Sequence, residues 1–157
     1  MGVAGCGKST VADAIHERLG YAYAEGDDFH PQANIDKMSA GIPLTDEDRW
    51  PWLQVINKWM VAREALGENT VVSSSALKRS YREALSENVP TFFIHLSGTQ
   101  ALIQQRLNDR KGHFLPPALL PRQFATLEPP SPYATALALS LHARVSTMVE
   151  RRIATIT

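Results

Sequence analysis

The opening nine residues constrain this chain more than any others. Gly2-Val3-Ala4-Gly5-Cys6-Gly7-Lys8-Ser9 fits G-x-x-x-x-G-K-[S/T] without a mismatch. Glycines at this spacing let the backbone curl until successive N–H groups face one anion. The helix that follows aims its positive end at the same point. Lys8 then reaches the β- and γ-phosphates of a nucleotide, and Ser9 offers a hydroxyl to Mg²⁺. A plain glycine-rich turn is the alternative, but it gives no reason for Lys8 and Ser9 to open an amphipathic helix. A phosphate loop of this kind ordinarily follows a central strand, and almost nothing precedes Gly2. The expectation is a late start at an internal methionine, with the first strand missing and its neighbours left with bare edges.

Beyond the loop, helical and strand patterns alternate, which predicts an α/β fold with a parallel sheet. Val11, Ile15 and Leu19 recur every fourth position and Gly20 follows, so Lys8 to Leu19 reads as a helix. Strands are expected at Tyr21–Ala24, Thr70–Ser74, Thr91–Leu96 and Leu137–Leu141. Further helices are expected at Pro31–Ser39, Trp50–Ala65 (capped by Asp48, with Pro51 in its first turn), Lys78–Ser86, Thr99–Arg110, Leu119–Leu127 and Val145–Ile156. The stretch 111–117 reads as a loop, a candidate mobile lid.

Composition narrows the class. The 157 residues fit one domain, since domains commonly run to about 100–200 residues. A 44% hydrophobic and 20% charged chain is an ordinary globular one and excludes disorder. Sixteen basic and sixteen acidic residues cancel, so anion binding must come from a local site. With no basic stripe, a nucleic-acid-processing role is disfavoured. The lone Cys6 excludes an internal disulfide and a multi-cysteine zinc site, and a reducing, cytoplasmic setting is expected. Cys6 itself reads as a small filler within the loop. No apolar run reaches about 18 residues and no secretory pattern opens the chain, so neither membrane partners nor export are expected.

Four segments carry candidate chemistry. Glu25-Gly26-Asp27-Asp28-Phe29-His30-Pro31 follows the second expected strand, where ligands of open α/β sheets bind. A carboxylate such as Asp27 there can accept a proton from a substrate hydroxyl or help to hold Mg²⁺, although Asp and Gly also favour turns. Lys78, Arg79 and Arg82 follow the next strand and can clamp a carboxylate, or form a solvated helix face. No Asp ends that strand, so Mg²⁺ is left to Ser9, water and Asp27. Arg106 and Arg110 can neutralise a transferring phosphoryl group, or simply complement a helix C-terminus. Arg49 can touch substrate or pair with nearby acids, while Trp50, Trp52 and Trp59 read as packing.

Taken together, MGVAGCGKST, EGDDFHPQANIDKMSAGIPLTDEDRWPWL, SSALKRSYRE, RKGHF and ATLEPP resemble the gluconokinases, within the shikimate-kinase-like group of small P-loop kinases. The likeness runs from Gly2 to about Thr126 and more loosely beyond. It departs at Ser131–Thr135, where that family often carries an acidic stretch. The resemblance implies a single three-layer P-loop NTPase domain over 1–157, a parallel sheet with helices on both faces, and a lid near 111–117. It implies ATP-dependent phosphorylation of D-gluconate to 6-phospho-D-gluconate, with ATP and Mg²⁺ as cofactors. Gly5, Gly7, Lys8, Ser9, Thr10, Arg106 and Arg110 would hold the nucleotide. Asp27, His30, Arg49, Lys78, Arg82 and His113 would hold gluconate. Lys8, Asp27 and Arg110 would serve the transfer, and Ser9, with Asp27 as a second candidate, the metal. A homodimer is the family's common state. Two rivals stay open: a kinase of another hydroxylated acid such as shikimate, and an inert nucleotide-binding protein.

Overall fold

In a computed structural model the chain is described over residues 1–110, 118–131 and 136–141, and at Glu150. The elements run α1 (Lys8–Leu19), β1 (Ala22–Glu25), a 3₁₀ turn (Gly26–Phe29), α2 (Gln32–Ser39), α3 (Asp46–Ala65), β2 (Thr70–Ser73), α4 (Arg79–Leu85), β3 (Phe93–Ser97), α5 (Gln100–Asp109), α6 (Leu119–Thr126) and β4 (Ala136–Ser140). The expected lid, with His113, and the expected last helix lie outside the described residues.

β1 pairs parallel with β2, Ala22 opposite Thr70 and Glu25 opposite Ser73. β3 pairs parallel with β4, Phe93 opposite Ala136. Successive side chains of a strand point to opposite faces, and each face has its own core. Val71, Ile94 and Leu96 pack with Val11, Ile15, Ile103, Leu107 and Leu120 from α1, α5 and α6. Val72 and Phe93 pack with Trp52, Leu53, Ile56, Tyr81 and Leu85 from α3 and α4. Helices therefore cover both faces of a parallel α/β arrangement, as the alternating pattern required. The three tryptophans belong to the second core or its margin, and Cys6 is buried in the first.

Among the described residues no ladder joins β2 to β3. The Met1–Gly2 segment bridges them instead. The Met1 nitrogen donates to the Ile94 carbonyl at 2.5 Å, Leu96 N–H donates to Met1 carbonyl at 3.0 Å, and Gly2 N–H donates to Ser75 carbonyl at 3.1 Å. Ahead of that bridge, a groove of about 310 Å³ runs between the facing edges, lined among others by Val72, Ser73, Phe93 and Ile94. These contacts anchor the phosphate loop to both half-sheets.

Element boundaries shift from expectation for local reasons. α3 begins at Asp46 rather than Trp50, because Thr45 and Asp48 form a reciprocal capping box. Pro51 consequently lies inside the helix rather than in its first turn. Lys78 is the N-cap of α4 and not a member of its face. Strand β3 starts at Phe93, two residues after the expected Thr91, and β1 and β4 are each displaced by one.

Candidate active site

The phosphate loop closes as its spacing demands. Gly7 sits at the N-cap of α1 with φ 92°, a left-handed conformation that a side chain resists, and no side chain caps the helix. The first amides of α1 have no partners within the helix and so face outward at its positive end. Ala4 N–H is held at 2.6 Å by the side-chain carbonyl of Gln123 on α6, an anchor that sequence reasoning missed. Lys8 lies folded along its own loop, Nζ donating to the Val3 carbonyl at 3.0 Å. Ser9 and Thr10 are exposed. Gly5, Gly7 and Thr10 line one cavity of about 340 Å³ together with Arg106 and Arg110. The two arginines read from the α5 sequence are therefore brought to the phosphate loop. Arg106 is tied there by a 2.7 Å bond to the Leu141 carbonyl.

The carboxyl end of β1 supplies the acids. Glu25 was missed by the sequence reading, yet it lies beside Ser9 at the start of α1. Its carboxylate accepts from the hydroxyls of Ser73 and Tyr23, and the Ser9 hydroxyl is near enough to help hold its pKa down. Partial burial pushes the Glu25 pKa up, but Ser73, Ser9, Tyr23 and the Lys8 charge outweigh that and hold it below its ordinary value. The same burial and the neighbouring Glu25 push the Tyr23 phenol up to about 12. The available signal was period 2: Tyr23 and Glu25 share one face of β1. At the next residue, a Cβ on Gly26 would meet the Ser73 carbonyl at 2.6 Å, so only glycine permits the turn to fold this close to β2. Trp52 Nε1 pins that turn by donating to the Gly26 carbonyl at 2.7 Å. Asp27 then projects outward, its side chain 89% exposed.

His30 lies 3.8 Å from Asp27 and stacks on Trp52 with centroids 4.2 Å apart; its own side chain is only 4% exposed. Burial holds its pKa below the usual value, against the opposing pull of Asp27, so it is neutral at pH 7. Arg49 donates to the Leu44 carbonyl at 2.6 Å and reaches the Tyr81 oxygen at 3.5 Å. Lys78 Nζ bonds both oxygens of Asp46 at 3.1 Å, and the Tyr81 hydroxyl donates to the same carboxylate. Asp27 and His30 form one end of a row; Arg49, Tyr81 and Lys78 form the other, joined through the Tyr81 ring and the Asp46 carboxylate, and the Arg49 charge acts on His30 across the gap.

Arg82 does not join that row. Its guanidinium is buried and donates to the carbonyls of Ala76 (2.9 Å), Leu77 (3.1 Å) and Glu128 (2.8 Å). Ala76 has φ 43°, an uncommon conformation for a residue with a Cβ. Arg82 therefore holds the strained turn that delivers Lys78, and the expected pairing of Lys78 with Arg82 on one helix face is absent. Among the described residues no cluster of three His, Cys, Asp or Glu could hold a metal ion by itself, and no helix is long and apolar enough to cross a membrane.

Residues 1–130 match the family model described as AAA domain. The chain is 49% identical over 131 residues to gluconokinase of Gluconobacter oxydans, covering 83% of this chain and 74% of that one. The chain belongs to the gluconokinase family. A gluconokinase structure from Sinorhizobium meliloti superposes with TM-score 0.88 at 46% identity, over 98% of this chain and 87% of that one. An unliganded sugar kinase from Janibacter sp. gives TM-score 0.91 at 44% identity, over 98% and 90%. As a member of this P-loop kinase family the chain is an ATP-using phosphotransferase.

Proposed function

We propose that this chain transfers the γ-phosphoryl group of ATP to the 6-hydroxyl of D-gluconate, giving 6-phosphogluconate and ADP. The observation that carries the reading is the row Asp27–His30–Arg49–Tyr81–Lys78 at the strand ends, on a framework shared with gluconokinases. A sugar acid offers one carboxylate and several hydroxyls, and this row offers two cations, a neutral imidazole and a free acid. Arg49 and Lys78 take the carboxylate, and His30 takes hydroxyls. Asp27 accepts the proton of the reacting hydroxyl as its oxygen bonds to phosphorus and the bond to the bridging oxygen of ADP breaks.

On the nucleotide side Gly5, Gly7, Lys8, Ser9 and Thr10 cradle the phosphates, and Arg106 and Arg110 neutralise charge beside them. The oxygens at the Ser9–Glu25 contact suit a hard cation, so Ser9 would ligate Mg²⁺ with Glu25 as the carboxylate beside it, which leaves Asp27 to the substrate. When bound, Mg²⁺ supplies charge neutralisation on the phosphates. Arg82 acts through the Ala76 turn and not on substrate.

The test is a coupled ADP-release assay with a panel of hydroxylated acids. ADP release that depends on D-gluconate and not on shikimate is the expected outcome. Release with shikimate and not with gluconate overturns the substrate. Nucleotide binding without release for any acid makes the chain an inert binder.

A further inference from the structure

One acid of the cleft has no part in the reaction described. Asp46 is the first residue of α3, and its carboxylate sits on Lys78, one of the two cations assigned to the substrate's carboxylate. Both of its oxygens take Lys78, and the buried Tyr81 hydroxyl donates to one of them. Arg49 lies beside Tyr81, its guanidinium carbon 5.6 Å from the ring centroid. The hydrogen bond from Tyr81 and then that from Lys78 hold the Asp46 carboxyl below its ordinary pKa. The α3 cap does not need this residue, since Thr45 and Asp48 complete the capping box between them.

The geometry points to Asp46 as an internal stand-in for the substrate carboxylate, occupying Lys78 and Tyr81 in the free protein and releasing them when a sugar acid enters. This rests on the gluconate reading and adds the exchange. Two carboxylates cannot share one ammonium and one hydroxyl without repelling each other. Asp46 is the partner able to leave, because its side chain is 38% exposed and can rehydrate on the rim. Tyr81, at 3% exposed, cannot follow it.

The exchange also sets specificity. A simple monocarboxylate gains only what Asp46 already provides, so it displaces nothing. A sugar acid adds hydroxyl contacts to His30 and Asp27 and so overcomes the resident acid. Asp46 is in this sense a positioning residue that raises the threshold for entry.

The experiment compares the protein with Asp46→Asn. Binding is followed by the fluorescence of Trp50, which lies edge-on to Tyr81 at 5.6 Å and reports without turnover. Expected in the variant are a roughly tenfold lower KM for gluconate, an unchanged KM for ATP, and new measurable binding of acetate. Weaker gluconate binding would make Asp46 a buttress of Lys78 and overturn the stand-in, as would unchanged affinity for both acids. Acetate keeps the two readings separable. If the unaltered protein neither binds nor phosphorylates gluconate, the function falls, while tighter acetate binding in the variant still supports the exchange. Asp46→Ser, a residue at home in a first helical turn, repeats the comparison should the asparagine variant fold poorly.

Discussion

The phosphate side of the cleft is built mainly on contiguous residues and works largely through backbone; the acid side is drawn from three separated segments and works through side chains. At Gly2–Ser9 the geometry is set by glycines, an uncapped helix start and hydrogen bonds from Met1 and Gly2 into the sheet. Opposite it, Asp27, His30, Arg49, Lys78 and Tyr81 depend on other side chains for their positions: Trp52 under His30, Arg82 behind Lys78. A backbone cradle resists substitution because its donors are not side chains. A side-chain row is vulnerable at each member and at each buttress. It is also where substrate identity resides, since phosphate looks alike in every nucleotide.

The sharpest way to break this contrast is Asp27→Asn. Loss of the proton acceptor should lower kcat on the order of 10³-fold, within the usual range for general base catalysis, while ATP affinity stays level. Loss of ATP binding instead would move Asp27 to the phosphate side. Next in size is Arg82→Met, which leaves three carbonyls without their donor. Urea unfolding should show a loss of about 1–3 kcal/mol, and the KM for gluconate should rise while that for ATP holds. Equal changes in both KM values would mean that the turn at Ala76 serves the whole cleft.

The smallest effect concerns His30. Its pKa is lowered on folding, so below its ordinary value near 6.5 the unfolded chain binds a proton that the folded protein refuses. Stability is therefore full above that pH and declines as pH falls through it. Melts from pH 7.5 to 5.5 should show this decline, and His30→Gln should lessen it, leaving the part that belongs to the buried His95 and the Met1 amine, whose pKa values burial also lowers. A slope that the substitution leaves unchanged belongs to those groups alone.

What the sequence disclosed follows the same division. The loop, α1 and the alternation of strands with helices were legible because each depends on near neighbours: eight residues of glycine spacing, or a period of four. The row on the acid side was legible residue by residue, but its partnerships were not. Lys78 and Arg82, four apart, looked alike until the cap placed Lys78 outside α4 and the strained Ala76 turn claimed Arg82. Glu25 was hidden because it ends a strand, and its meaning comes from Ser73 across the ladder and Ser9 on α1. The start of α3 was misplaced because the capping box at Thr45 outweighs the signal of Asp48 read alone.

The central claim is that the acid side recognises a negative charge and not merely a polyol. Titration calorimetry of D-gluconate and of its uncharged amide into the protein tests it most directly. Because hydrogen bonds to charged groups contribute roughly 1.5–3 kcal/mol, gluconate should bind at least about tenfold more tightly than the amide. Equal affinity for the two would contradict the account.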